Sequence, residues 1–241
     1  MTRHLEWEGC LNTRDLGGLP TQDGSETRWG AVVRSDNPTC LTKAGWDDLE
    51  AYGIRTVLSL RTLGATEPEP KCNFMPSDVT LEEVFIEDIS DLDFVERCVN
   101  TGLWCTPIYF HEMLDHAPDR CAAAVSAVAN APPGGVVISC AKGLDRTGLL
   151  AFLLLALVGV SAGDIATDWL MSVERLRPRD PNYGAFVREL LANENTTVIK
   201  SIETTLATVD LPHLLCDGGL APQDLQALRD RLVSPTLPTG P

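Results

Sequence analysis

The stretch from Val136 to Leu157 constrains the fold most: Val-Val-Ile-Ser-Cys-Ala-Lys-Gly-Leu-Asp-Arg-Thr-Gly leads straight into Leu-Leu-Ala-Phe-Leu-Leu-Leu-Ala-Leu. Val136–Ile138 is a β-branched run of the kind that forms a buried strand. Leu149–Leu157 is apolar on every side, which calls for a helix enclosed over most of its surface. Between them, Cys140–Arg146 leaves room only for a tight loop. Strand, loop and buried helix in that order imply an α/β fold, a mostly parallel central sheet with helices on both faces. A functional site is then expected at the carboxyl end of the Val136–Ser139 strand.

Such a loop aims successive backbone N–H groups, and the positive end of the helix dipole, at one point above Cys140. Ala141, Lys142, Gly143 and Leu144 would bind a dianionic phosphate there, and the same groups would favour the Cys140 thiolate. Arg146 can fold back and grip two phosphate oxygens with its planar fork. Gly143 is expected to let the backbone approach those oxygens, and Thr147 to donate a hydrogen bond to the sulfur. Asp145 places a carboxyl within reach of the same cavity. These pieces describe attack on phosphorus, a phosphocysteine intermediate and hydrolysis by water. The plainer alternative is an inert cysteine at a strand end beside a surface arginine; the flanking strand and helix favour the loop.

Cys140–Gly148 resembles the phosphate-binding loop of the cysteine-dependent protein tyrosine phosphatases, and more narrowly a bacterial tyrosine phosphatase-like branch whose loop reads His-Cys-x-x-Gly-Lys-Asp-Arg-Thr-Gly. The resemblance implies Cys140 as nucleophile, Arg146 as phosphate clamp and Asp145 as general acid, with no metal or cofactor. Ser139 stands where that branch has His, and Leu144 where it has Lys; Lys142 lies two positions earlier. Asn12-Thr-Arg-Asp-Leu-Gly-Gly, followed by Asp23-Gly24 and Arg34-Ser35, matches the opening of the same branch. By itself that opening reads as a surface turn with a local Arg14–Asp15 ion pair. The resemblance implies instead that Arg14 and Asp15 brace the site from behind. It also sets Arg61 against Glu67, as an ion pair in preference to a substrate contact, and puts Tyr109 near the substrate mouth. The acidic run Glu87–Asp93 reads as a solvated loop and helix start; the rival reading makes Asp88, Asp91 or Asp93 the general acid.

A net charge of −15 repels nucleic acid and anionic bilayers at long range, and no Lys/Arg block interrupts it. Arg175, Arg177 and Arg179 form a small basic cluster, read either as a solvated face or as an anion contact at the pocket rim. The eight cysteines show no Cys-x2-Cys pair, which argues against zinc ribbons and thioredoxin chemistry, and most are expected as buried hydrophobes. Met1–Glu8 lacks an apolar segment of signal-peptide type. Leu149–Val160 is too short to span a bilayer. The expectation is a cytoplasmic protein without stable membrane association, residues 1–241 forming one domain with a frayed tail from about 235. Oligomeric state is not legible.

Along the chain, strands are expected at Trp29–Ser35, Ile54–Leu60 and Val84–Ile86. Helices are expected from Thr42 to Tyr52, Leu92 to Leu103, Ile108 to Leu114 and Pro118 to Asn130. A further helix capped by Ser161 should end near Leu176, followed by Asn182–Lys200 and a closing helix after Gly219. Leu63–Thr80 is expected to be irregular. The expected reaction is metal-independent phosphomonoester hydrolysis. A small phosphorylated metabolite is the preferred substrate, partly because Leu144 would add an apolar wall to the pocket. Phosphotyrosine proteins and phosphoinositides are the alternatives, with a phosphate-binding pseudoenzyme or an arsenate reductase or sulfurtransferase further off.

Overall fold

The computed structural model describes residues 2–66 and 72–234. Its sheet comprises β1 (Arg14–Asp15), β2 (Val32–Ser35), β3 (Ile54–Leu63), β4 (Thr80–Asp88) and β5 (Gly135–Ser139), in the order β1-β2-β5-β3-β4. β2, β5, β3 and β4 are parallel, and β1 pairs antiparallel with β2. The α/β class and mostly parallel sheet are as expected. Ser139 at the end of β5 lies between Ser35, the last residue of β2, and Ser59 of β3, which runs on to Leu63.

Strand alternation divides the core. Val32, Leu58, Leu60, Val136 and Ile138 enter a large cluster on one face. Val33, Val57 and Val137 enter a smaller one on the other, with Trp46 and Leu49 of α1 (Lys43–Ala51). The two faces are covered unequally. The larger cluster takes in α3 (Ile108–His116), α4 (Pro118–Ala129), α5 (Asp145–Leu157) and α6 (Ala162–Arg175). It also takes in α7 (Tyr183–Asn193), α8 (Val198–Thr208), α9 (Leu211–Asp217) and α10 (Pro222–Leu232). α5 touches α3, α4, α6, α9, α10, β2 and β5. That enclosure explains its lack of a polar stripe: every residue from Leu149 to Leu155 is buried.

Several local expectations hold. Thr42 caps α1 by accepting from Gly45 N at 3.2 Å, and Ser161 caps α6 by accepting from Asp164 N at 3.1 Å. Others need correction. Asn12–Leu19 is not only a turn, because Arg14–Asp15 pairs with Val33–Arg34 as β1. β4 is three times the expected length; its pairing with β3 recruits residues as polar as Glu82 and Glu83. Leu92–Leu103 is not one helix but a turn, α2 (Leu92–Phe94), then a π-helical turn Val95–Val99, with Leu103–Cys105 in a 3-10 turn. Asn182–Lys200 is split between α7 and α8, where Asn195 takes φ +52° and Thr197 caps a new start. Glu67 and the tail from 235 lie outside the described residues.

Candidate active site

Cys140 leaves β5 directly, is 7% exposed, and opens the loop that closes into the first turn of α5. Gly143 has φ +66°, and a Cβ built on it would lie 2.5 Å from Ser35 O and 2.6 Å from Asp36 N. The glycine is therefore required by close packing on the backbone at the end of β2, a constraint the sequence did not show.

Behind the loop lies a polar cluster with almost no solvent contact. Asn12 Nδ2 donates to Lys142 O and to Gly143 O, each at 3.0 Å. One Arg34 guanidinium nitrogen donates to Gly143 O at 2.7 Å, and the other to Asp168 Oδ2 at 2.6 Å. Arg14 donates to Asn12 Oδ1 at 2.6 Å, to Asp168 Oδ1 at 2.9 Å and to Ser172 Oγ at 2.8 Å. Arg3 also pairs with Asp168. Although burial opposes it, the three guanidiniums hold the Asp168 carboxyl far below its ordinary range. Arg14 thus reaches the loop indirectly, through Asn12 and through Asp168 and Arg34. Asp15 does not brace the loop: its oxygens accept from Gly17 N and Gly30 N, each at 2.7 Å, and from the Tyr52 hydroxyl at 2.5 Å.

In front of the cluster, Arg146 donates to Leu60 O at 2.9 Å and lies 3.5 Å from Glu87 Oε2. Glu87 also accepts from Thr62 Oγ1 and from the Tyr109 hydroxyl, each at 2.7 Å. Tyr109 is 0% exposed, so it supports Glu87 from within instead of standing at a mouth. Burial, and then the Glu87 charge, pushes its phenol well up. Arg61, in contrast, lies 3.2 Å from Glu83 on the face of the smaller core cluster.

Asp145 opens α5, is 7% exposed, and its Oδ1 has no hydrogen-bond partner. Burial first, then the Glu87 charge, raises its carboxyl to about 7, against the opposing pull of Lys142 and Arg146. A carboxyl in that range is protonated at mildly acid pH and able to give its proton up. Asp88 and Asp91 are placed differently. Asp88 accepts from Ser90 and pairs with Arg120 at 2.7 Å, while Asp91 caps α2 and meets His116 at 2.9 Å. The Ser90 bonds hold Asp88 below its ordinary range, and the Phe94 amide does the same for Asp91. Asp93 lies in the first turn of α2.

Three further expectations change. The Thr147 hydroxyl is buried with no hydrogen-bond partner, so it makes no bond to the Cys140 sulfur. Leu144 is 0% exposed within the large core cluster and forms no pocket wall. Ser139 donates to Leu58 O at 3.3 Å, across the sheet instead of into the loop. Ala141 and Lys142 are exposed, the Lys142 ammonium 5.2 Å above the Tyr183 ring. The basic cluster is divided as well. Arg175 donates to Leu11 O at 2.6 Å and Arg179 pairs with Asp36 at 2.8 Å, beside the loop, while Arg177 pairs with Glu174 on the surface. All eight cysteines are free, and burial raises the Cys98, Cys105 and Cys121 thiols to about 12, 11 and 12.

Sequence reasoning missed Asn12, Arg34, Asp168 and Glu87. Asp168 had left a signal: it falls on the face of α6 that also carries Ile165, Trp169 and Ser172. A carboxylate on a buried helix face needs cationic partners. Glu87 carried less, as the first residue of an acidic run.

A cysteine leaving a central parallel strand, a tight loop and an arginine in the first turn of a buried helix define the class of Cys-x5-Arg loop proteins. Within it the chain belongs to the tyrosine phosphatase family, whose model matches residues 5–234. It is 30% identical over 180 residues, 72% of this chain, to a Cupriavidus necator protein whose name places it among tyrosine-protein phosphatases. It is 26% identical over 224 residues, 84% of this chain, to a tyrosine-protein phosphatase of Nostoc commune. The chain spans 64% of the first relative's length and 74% of the second's. No described helix is long and apolar enough to cross a membrane.

Proposed function

We propose that the protein is a cysteine-dependent phosphomonoester hydrolase, acting without metal or cofactor. The observation that carries this reading is the placement of Cys140 at the carboxyl end of β5 with Arg146 and a neutralisable Asp145 carboxyl in the first turn of the helix that follows. The Cys140 thiolate attacks phosphorus, the P–O ester bond breaks, and Asp145 gives its proton to the leaving oxygen. Arg146 and the loop N–H groups of residues 141–144 stabilise the equatorial oxygens. Water then attacks the phosphocysteine, Asp145 takes the proton, and the S–P bond breaks to release inorganic phosphate.

The names of both relatives favour a phosphotyrosine substrate. The net charge of −15 favours the second reading, a small phosphorylated metabolite, over acidic peptide flanks, nucleic acid or an anionic bilayer. The buried position of Leu144 removes its pocket wall from that argument. The free thiols accord with a cytoplasmic setting. Release of phosphate from 4-nitrophenyl phosphate with EDTA present tests the chemistry. Cys140→Ser should abolish turnover yet keep affinity for inorganic phosphate, and near-wild-type kcat in that variant would sink the proposal. A panel of phosphotyrosine peptides, sugar phosphates and nucleotides at fixed salt separates the substrate readings; a tenfold preference in kcat/KM, about 1.4 kcal/mol, decides.

A further inference from the structure

We infer that Asn12 and Arg34 are positioning residues for the anion loop: by holding the Lys142 and Gly143 carbonyls behind it, they fix the loop N–H groups toward the phosphate. This rests on the hydrolase reading and deepens it.

A peptide plane carries its N–H and C=O on opposite sides, so a carbonyl tethered behind a loop turns the next N–H forward. Lys142 O is the carbonyl of the peptide whose N–H belongs to Gly143, and Gly143 O that of the peptide whose N–H belongs to Leu144. Asn12 holds both at 3.0 Å, and Arg34 holds the second at 2.7 Å. Three hydrogen bonds thus meet on two consecutive carbonyls. Their donors are themselves fixed. Asn12 has 0% exposure and its side-chain oxygen accepts from Arg14, which settles which end of the amide faces the loop. Arg34 is 1% exposed and anchored on Asp168. Asp36 completes the frame by accepting from Leu11 N and Asn12 N, each at 3.1 Å.

The sequence supports the same division of labour. β1 brings Arg14 opposite Arg34 of β2, and β2 runs beside β5, so Asn12 and Arg34 lie beneath the loop through sheet register. Neither touches the reacting atoms; both act through the backbone of residues 142–144.

The test is the inhibition constant of inorganic phosphate against 4-nitrophenyl phosphate, with phosphate affinity measured independently by calorimetry, in the wild type, Asn12→Ala and Asn12→Asp. Losing two buried hydrogen bonds to the loop should weaken phosphate binding by about tenfold in Asn12→Ala. Asn12→Asp keeps the shape but presents acceptors to two carbonyls, so it should bind phosphate more weakly still. Asp224→Asn is the structural control: it disturbs a carboxylate that accepts from Ser126 at 2.7 Å and Asn130 at 2.9 Å, away from the loop. It should lower stability with phosphate affinity unchanged. Should Asn12→Ala not fold, Arg34→Lys carries the same measurement, because a lysine can keep Asp168 but lacks the fork that also reaches Gly143 O. Phosphate affinity within twofold of wild type in the folded variants of Asn12 and Arg34 overturns this inference and leaves the hydrolase reading standing. A wild type that neither hydrolyses the ester nor binds phosphate overturns both.

Discussion

Replacing Asp145 by Asn should separate the stability of this protein from its chemistry, and both effects should depend on pH. Burial, and then the Glu87 charge, pushes the Asp145 carboxyl from an ordinary 3.8 to about 7. In the unfolded chain it titrates near the ordinary value. Between about pH 4 and pH 7 the folded protein therefore holds a proton that the unfolded chain has released. The sign follows: this contribution is fully present below the unfolded value and is lost as pH rises through the folded one. Across the whole window the loss is roughly 4 kcal/mol, of which about 3 kcal/mol falls between pH 5 and pH 8. An Asn side chain has no charge to bury, so the stability of Asp145→Asn relative to wild type should rise by about 3 kcal/mol from pH 5 to pH 8. Toward pH 5, where the wild-type carboxyl holds its proton, turnover of alkyl phosphates by the variant should fall about 10²–10⁴-fold below wild type, and that gap should narrow as pH rises past 7; 4-nitrophenyl phosphate should suffer far less, since nitrophenolate leaves without a proton. Urea denaturation at the two pH values reads the first effect and steady-state kinetics the second. A stability difference that stays constant between pH 5 and pH 8 would refute the argument, because it would mean that no buried acid titrates there.

Three other substitutions test neighbouring parts of the site. Gly143→Ala should cost about 1–3 kcal/mol or more in urea denaturation and weaken phosphate inhibition, since it strains a φ of +66° and drives a methyl group into the Ser35–Asp36 backbone. Leu144→Lys, which restores the residue of the resembling branch, should lower Tm instead of adding affinity for a second phosphate, because position 144 has 0% exposure and a charge there has no partner. Asp88→Asn should leave kcat on alkyl phosphates within about twofold of wild type, its carboxylate already bonded to Ser90 and Arg120; a crippled variant would move the general acid off Asp145.

What was legible in the sequence is what depends on near neighbours along the chain. The β5–loop–α5 unit follows from one continuous run, and the Thr42 and Ser161 caps from a side chain three residues before the amide it accepts. What was not legible depends on contacts across the sheet. Glu82 and Glu83 look unsuited to a strand, yet pairing with Leu58 and Ser59 carries β4 through them. Thr147 and Leu144 were assigned to the pocket by spacing alone. Spacing does not say which way a side chain leaves a loop, and the fold turns Leu144 into the core. Arg34 was visible only as half of an Arg-Ser pair. Its task requires Asp168, 134 residues away.

The same cluster bears on how a chain of net charge −15 would hold an anion at the proposed site. Arg3, Arg14 and Arg34 converge on the one carboxylate of Asp168, so positive charge outnumbers negative beneath the loop. Burial and the nearby Arg34 charge lower Arg14, yet only to about 10, and it stays cationic at neutral pH. Salt screens exposed carboxylates such as Glu82 and Glu83 within about 10 Å at 0.1 M ionic strength, but it screens buried guanidiniums much less. On the hydrolase reading proposed above, the buried cluster and Arg146 act on a phosphate at short range, where the exposed carboxylates are screened. Net charge therefore bears on which substrates approach, and the interior on whether their phosphate is held.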